Sequence, residues 1–283
     1  MSGAGLLIIK RRIKSVTNTK KITRAMGLVA TAKLRKTRAR LVVNSKFTLK
    51  FNETMNDIMK RHTGENIYKN GNGSNKNLYI VLTSDTGLCG GFNSTVMLKT
   101  KEIFDGDKNN SILIVAGQKG KTFFKKLDFE TAAEYVDLPD LPGLKDGRII
   151  AEKALSLFND GKVGTVNLIY TKFNSILRQT VLVEKLLPLE HSDEERNETY
   201  IRFEEGENEL LSSLMPQYLT QKILNFMINS KASEQGARMT AMDGATKNAN
   251  DILDNLYLSY NRVRQGAITQ EISEIVGGAE AQK

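Results

Sequence analysis

Asp251-Ile252-Leu253-Asp254-Asn255-Leu256-Tyr257-Leu258-Ser259-Tyr260-Asn261-Arg262-Val263-Arg264-Gln265-Gly266-Ala267 places apolar or small residues at 253, 256, 260, 263 and 267. The gaps alternate between four and three, the seam of a coiled coil, because residues so spaced fall on one face of an α-helix. The same spacing recurs upstream at Leu219, Ile223 and Phe226. Between these stretches the seam positions turn small, with Ala237, Ala241 and Gly244, so two helices can approach closely there. From Gln217 to about Ile275 there is no proline. The segment therefore reads as one helix, and some 60 residues at 1.5 Å each make a rod of roughly 90 Å.

A helix of that length needs a partner, and the other end of the chain supplies one. Leu6 to about Arg61 is also free of proline, because all four prolines (139, 142, 188 and 216) lie in the middle and late-middle of the sequence. Interior proline breaks helices, so both ends are free to form long ones. Ile9, Ile13 and Val16 form one apolar stripe, and Ile22, Met26 and Val29 a second. The step between the stripes slips by one residue, so the seam is expected to be imperfect there. The matching lengths predict antiparallel pairing of the two ends.

The middle has a different texture. Asn70-Gly71-Asn72-Gly73-Ser74-Asn75 is a run of turn formers. Strand-like runs follow at Leu78–Thr83, Ser111–Val115, Val163–Tyr170 and Val181–Leu187, with a short last one at Tyr200–Phe203. Helical patterns lie between them at Phe92–Phe104, Lys119–Leu127 and Lys145–Phe158. Alternation of this kind predicts a compact α/β domain with a largely parallel sheet. The fold class is thus α/β, a long antiparallel coiled coil of N- and C-terminal helices plus a central Rossmann-like domain.

Two glycine-rich turns invite a catalytic reading. Ala116-Gly117-Gln118-Lys119-Gly120-Lys121-Thr122 ends in Gly-Lys-Thr after a strand. A phosphate-binding loop needs G-x-x-x-x-G-K-[ST], and five residues before Gly120 stands Val115. The loop is two residues too short, and a tight strand-to-helix turn is the better reading. Ser84-Asp85-Thr86-Gly87-Leu88-Cys89-Gly90-Gly91-Phe92-Asn93 does not match the dinucleotide fingerprint. Nor does Cys89 have a neighbouring His to activate it. Acid pairs such as Glu194-Glu195 and Glu204-Glu205 sit in polar runs that read as solvated loops. No base, nucleophile and orienting group come together, so no enzyme is read here.

Charge is distributed unevenly. Lys10 to Arg61 holds 16 Lys/Arg and two acids, Glu53 and Asp57, a net of +14. The rest holds 25 basic and 30 acidic residues, so the chain's net +9 comes entirely from that segment. Such a segment seeks an acidic protein, a polyanion or an acidic membrane surface. Aromatics for base stacking are missing from Lys10 to Lys46, which weakens single-strand binding but leaves duplex binding open. One cysteine excludes an internal disulfide framework, and His62 and His191 lack metal-ligand spacing. No stretch approaches the roughly 18 apolar residues of a membrane span.

Several motifs point further. Ile13-Lys14-Ser15-Val16-x-Asn18-Thr19-x-Lys21-Ile22-Thr23-x-Ala25-Met26, with Ala32-Lys33-Leu34-Arg35, closely resembles the N-terminal helix of the F-type ATP synthase gamma subunit family. Ser84-Asp85-x-Gly87-Leu88-Cys89-Gly90-Gly91-Phe92-Asn93 is similar to that family's central signature. Ser233-Glu234-Gln235-x-Ala237-Arg238-Met239, Leu258-Ser259-Tyr260-Asn261-Arg262 and Ala267-Ile268-Thr269-Gln270-Glu271-Ile272-Ser273-Glu274-Ile275-Val276-Gly277-Gly278-Ala279 resemble its C-terminal part.

The resemblance implies a non-catalytic rotor shaft turning inside a hexamer of alpha and beta subunits. Residues 1–61 and 207–283 would form the shaft. Residues 76–205 would be a foot set with the epsilon subunit on the membrane ring of c subunits. It implies no cofactor and no metal on this chain, ATP and magnesium being held by the partners, no nucleic acid, and only indirect membrane association. Arg264, Gln265 and Thr269 are expected to contact beta-subunit loops, Met26 a beta lever and Glu204 the membrane-ring side. For Met26, packing in the helix seam is the competing reading. Gly27 stands where the family usually carries Glu, and Gly266 where it usually has Ala. The paired cysteines of plastid versions are absent, and a start at Met1 without a transit peptide implies the cytoplasmic face of a bacterial plasma membrane. The alternatives are a basic coiled-coil protein that binds nucleic acid and, third, a nucleotide-binding α/β enzyme.

Overall fold

The computed structural model describes residues 2–61, 64–189 and 207–280. In chain order these form α1 (Ser2–Arg61), α2 (Ile67–Asn70), β1 (Asn77–Leu82), α3 (Phe92–Gly106), β2 (Ser111–Ala116), α4 (Gln118–Lys126), β3 (Thr131–Tyr135), α5 (Leu144–Asn159), β4 (Thr165–Phe173), β5 (Gln179–Leu187) and α6 (Glu207–Glu280). The chain divides into two units, one of Met1–Val29 with Met239–Lys283 and one of Ala30–Arg238. The expected strand Tyr200–Phe203, both histidines and Glu204 lie outside the described residues.

In the unit of Ala30–Arg238, the sheet runs β3-β2-β1-β4-β5, parallel except for β5, which returns antiparallel to β4. Side chains of a strand alternate between faces, and β1 shows the consequence. Leu78, Ile80 and Leu82 join a core with Ile150, Phe158, Ile223 and Met227. Tyr79 and Val81 point to a second core with Val96, Phe104 and Phe124. Helices α3 and α4 thus cover one face of the sheet, while α5, α6 and the end of α1 (Met55, Met59) cover the other. Strand β3, Thr-Ala-Ala-Glu-Tyr, carries no branched apolar run and is only partly buried, so hydrophobic patterning does not signal it.

The two long helices pair antiparallel in both units. Asn225 Nδ2 donates to Asn44 Oδ1 (2.9 Å) and Gln221 Nε2 to Thr48 Oγ1 (3.1 Å), so four residues up α1 answer to four down α6. In the other unit Thr23 and Thr246 share a hydroxyl hydrogen bond of 2.8 Å, and a Cβ on Gly27 would lie 3.5 Å from the Met242 Cβ.

Two expectations about these helices are corrected. The first is the slip in the N-terminal seam. In the unit containing Met1–Val29 the partly buried stripe of α1 runs Leu6, Ile9, Ile13, Val16, Lys20, Thr23 and Gly27 without a break. Ile22 and Val29 point outward, 59% and 53% exposed. Lys20, Thr23 and Gly27 carry the seam, so a search for apolar residues alone reads a slip that is not there. The second is proline as a boundary. Helix α6 begins at Glu207 and runs through Pro216. Proline in a helix interior costs about 3 kcal/mol or more, and burial of Leu211, Met215, Tyr218 and Leu219 around it offsets that cost.

Candidate functional site

The signature Ser84–Asn93 begins where β1 leaves the sheet, at the C-terminal edge of the parallel strands. In open α/β sheets ligands bind at this edge, where strand order reverses; β1, with β2 on one side and β4 on the other, is such a point. Here the chain fills the position itself. Asp85 Oδ1 accepts the backbone N–H of Gln118 (3.0 Å), the first residue of α4, and that of Asp137 (3.1 Å). Its Oδ2 accepts the N–H of Leu138 (3.2 Å). A helix N-terminus attracts anions through its unpaired N–H groups and dipole, and an internal carboxylate already satisfies this one.

The Gly-Lys-Thr turn is equally closed. Gly117 has φ +108°, and a Cβ there would meet the Thr83 carbonyl oxygen at 2.4 Å. Gly120 donates its N–H to Thr83 Oγ1 (3.0 Å), and a Cβ on it would lie 2.6 Å from that oxygen. These glycines let helix and strand touch, rather than making room for a phosphate. Lys121, the lysine of the turn, is paired with Glu134 at 2.9 Å. The cavity beside Thr83, Ser230, Lys231 and Glu234 measures about 10 Å³, space for one water and far below the roughly 300 Å³ of a small-molecule pocket.

Cys89 is buried, and Asn93 Nδ2 approaches its sulfur at 3.2 Å. Burial pushes its thiol pKa up, against smaller lowering effects from Ser84 and Arg238, so it is a poor nucleophile at neutral pH. Among the described residues no group of His, Cys, Asp and Glu could hold a metal ion. Among the described residues no helix is long and apolar enough to cross a membrane.

Residues of α6 that sequence reasoning left without a role complete this region. Lys231, Glu234 and Arg238 are buried on one helical face. Glu234 accepts from Arg238 at 2.8 Å and lies 3.3 Å from Lys231, whose Nζ is 4.0 Å from Asp85. Arg238 also donates to Thr86 Oγ1 (2.9 Å) and the Gly87 carbonyl (3.3 Å). The signal was present in the sequence: charges at intervals of three and four within a helix otherwise rich in buried residues.

The expected contact residues among those described, Met26, Arg264, Gln265 and Thr269, lie in the other unit. Arg264, Gln265 and Thr269 are exposed on α6, and Gln265 and Thr269 share a face, since the Thr269 hydroxyl donates to the Gln265 carbonyl (2.9 Å). Met26 is half-buried beside Gly27, which faces Met242. Met242 precedes Arg264 by 22 positions, about 33 Å along a helix, so the structure does not bring Met26 to that cluster. The basic side chains of α1 in this unit (Lys10, Arg11, Arg12, Lys14, Lys21 and Arg24) point to solvent, and among the described residues none of them forms an ion pair.

The family model described as ATP synthase matches residues 5–282, and the chain belongs to that family. Within it the chain is 53% identical over 283 residues to the ATP synthase gamma chain of Clostridium kluyveri, covering all of both sequences. The gamma chain of Clostridium acetobutylicum is likewise 53% identical over full length. Among solved structures, a chain of the Euglena gracilis mitochondrial ATP synthase OSCP/F1/c-ring assembly in rotational state 3 matches with a TM-score of 0.75 at 17% identity. That match covers 99% of this chain and 95% of the other. A chain of the Euglena rotor in rotational state 1 matches with a TM-score of 0.70 at 16% identity, over 94% and 99%. These structures share the fold.

Proposed function

We propose that the chain is the central rotor shaft of an F-type ATP synthase, coupling ion-driven rotation of a membrane c ring to ATP synthesis or hydrolysis on an alpha/beta hexamer. It is a non-catalytic subunit, with residues 1–61 and 207–283 as shaft and 76–205 as foot beside the epsilon subunit. It works peripherally, at the cytoplasmic face of a bacterial plasma membrane. One observation carries the reading. In the unit of Met1–Val29 and Met239–Lys283 the two helices satisfy each other along a single seam and leave everything else outward. The outward groups differ between the two helices and along their length. Ile22 and Val29 form an apolar strip on α1 close to Met26, and Lys21 and Arg24 are exposed elsewhere around the same helix. Arg264, Gln265 and Thr269 form a polar set on α6.

An asymmetric shaft of this kind presents different chemistry to three equivalent surroundings, so its angle favours a different conformation in each, a population shift driven by differential contacts. The basic and apolar groups of α1 suit acidic levers of beta subunits, and Arg264, Gln265 and Thr269 suit polar loops. The self-filled anion position at Asp85 supports a non-catalytic role. Family membership favours this reading over nucleic-acid binding by the basic helix.

ATP hydrolysis by the chain alone, by alpha plus beta, and by all three together tests it. The chain alone is expected to be inactive and the mixture to form a stable complex with sustained hydrolysis. A chain that neither joins nor stimulates the hexamer overturns the proposal.

A further inference from the structure

Helices usually pack on sheets through apolar side chains, and apolar burial has no preferred direction. Helix α6 from Asn229 to Arg238 packs on this sheet through polar ones. Strand β1 pairs with β4 only as far as Val81 and Ile169, while β4 continues to Phe173. The backbone groups of β4 beyond that point are taken up by α6. Ser230 Oγ accepts the Thr171 N–H (3.3 Å), Ser233 Oγ donates to the Thr171 carbonyl (3.1 Å), and Asn229 Oδ1 accepts the Phe173 N–H (3.4 Å). On the β1 side, Lys231 reaches Asp85 and Arg238 reaches Thr86 and Gly87, with Glu234 between the two cations. A stretch of helix thus substitutes for a strand on one side and for a bound ligand on the other.

We propose that this polar face is the torque-bearing joint of the molecule, holding α6 against rotation about its own axis relative to the α/β sheet; the inference rests on the rotor reading above. Hydrogen bonds weaken steeply with misalignment. A partial turn of α6 breaks several at once and strands buried charges, whereas apolar packing resists such turning far less.

The test uses the complete complex, with its own catalytic and membrane subunits, in sealed vesicles. ATP hydrolysis and the membrane potential it generates are measured together. Glu234→Leu with Arg238→Met removes the 2.8 Å ion pair as a pair and leaves Lys231 facing Asp85, and apolar replacement of a buried ion pair is often neutral or stabilising. The expected result is normal assembly, hydrolysis within about twofold of wild type, and pumping per ATP reduced about threefold or more. Ser230→Ala with Ser233→Ala is expected to shift pumping in the same direction by less, and Lys231→Arg to retain it. Wild-type chain that supports no pumping overturns the rotor reading. Wild-type pumping with undiminished pumping in both paired variants overturns the joint alone. Failure of both paired variants to assemble, while Lys231→Arg assembles, also overturns it, because the face then serves folding only.

Discussion

Helix α6 leads two different lives within one continuous helix. In the unit of Ala30–Arg238 its residues 223–236 are buried on every side, polar ones included. In the other unit only one stripe is covered, among it Met242, Ala249, Leu253 and Ala267, and no residue described after Ala267 is buried. The composition hardly differs along the way. What differs is the number of neighbours, and this decides what each polar side chain does. Buried Lys231, Glu234 and Arg238 must be paired, because an uncompensated charge in the interior costs several kcal/mol. Exposed Arg264 and Gln265 carry no such obligation and stay available to partners.

The sharpest way to break the closed region is at its tightest contact. Gly117→Ala forces a Cβ into the Thr83 carbonyl in a backbone conformation that L-residues avoid, and a loss of about 4 kcal/mol is expected from strain and overpacking together. Chemical denaturation of the isolated chain measures it; a loss below about 1 kcal/mol contradicts the close approach of helix and strand. Next, the two halves of α6 are compared directly. Ile223→Ala, at a fully buried site, is expected to cost about 3 kcal/mol, and Leu256→Ala, half-covered in the seam, about 1 kcal/mol. Equal costs would mean that the seam is packed as densely as the sheet interface. The smallest effect has the opposite sign. A Cβ on Gly266 meets nothing within 4 Å, so Gly266→Ala is expected to stabilise the helix by about 0.5–1 kcal/mol, read as a raised melting temperature by circular dichroism.

Much of this architecture was legible beforehand, for identifiable reasons. The spacing of Leu253, Leu256, Tyr260, Val263 and Ala267 could be met only by a helical seam, and four of the five strands among the described residues announced themselves as apolar runs. Where reading failed, tertiary context overrode a local rule. Helix α6 starts at Glu207, ahead of the Gln217 from which its pattern was read, and runs through Pro216, because surrounding burial outweighed the cost. Lys20, Thr23 and Gly27 held the seam that apolar Ile22 and Val29 were expected to hold. Strand β3 had no hydrophobic signal to give. At the candidate site, the loop length before Gly-Lys-Thr argued against phosphate binding, but Asp85 in the anion position came only from the geometry.

The sequence by itself determined that both ends are long helices and the middle an alternating α/β domain, because periodicity and proline placement are local properties of the chain. It also determined the family, through motifs spread from end to end. Only the tertiary structure decided which polar residues are enclosed and which face outward. Residues 85, 118, 137, 231, 234 and 238 are scattered over more than 150 positions, and their pairing is the work of the sheet edge that gathers them. Burial is a property of the neighbours, and the neighbours are chosen by the fold.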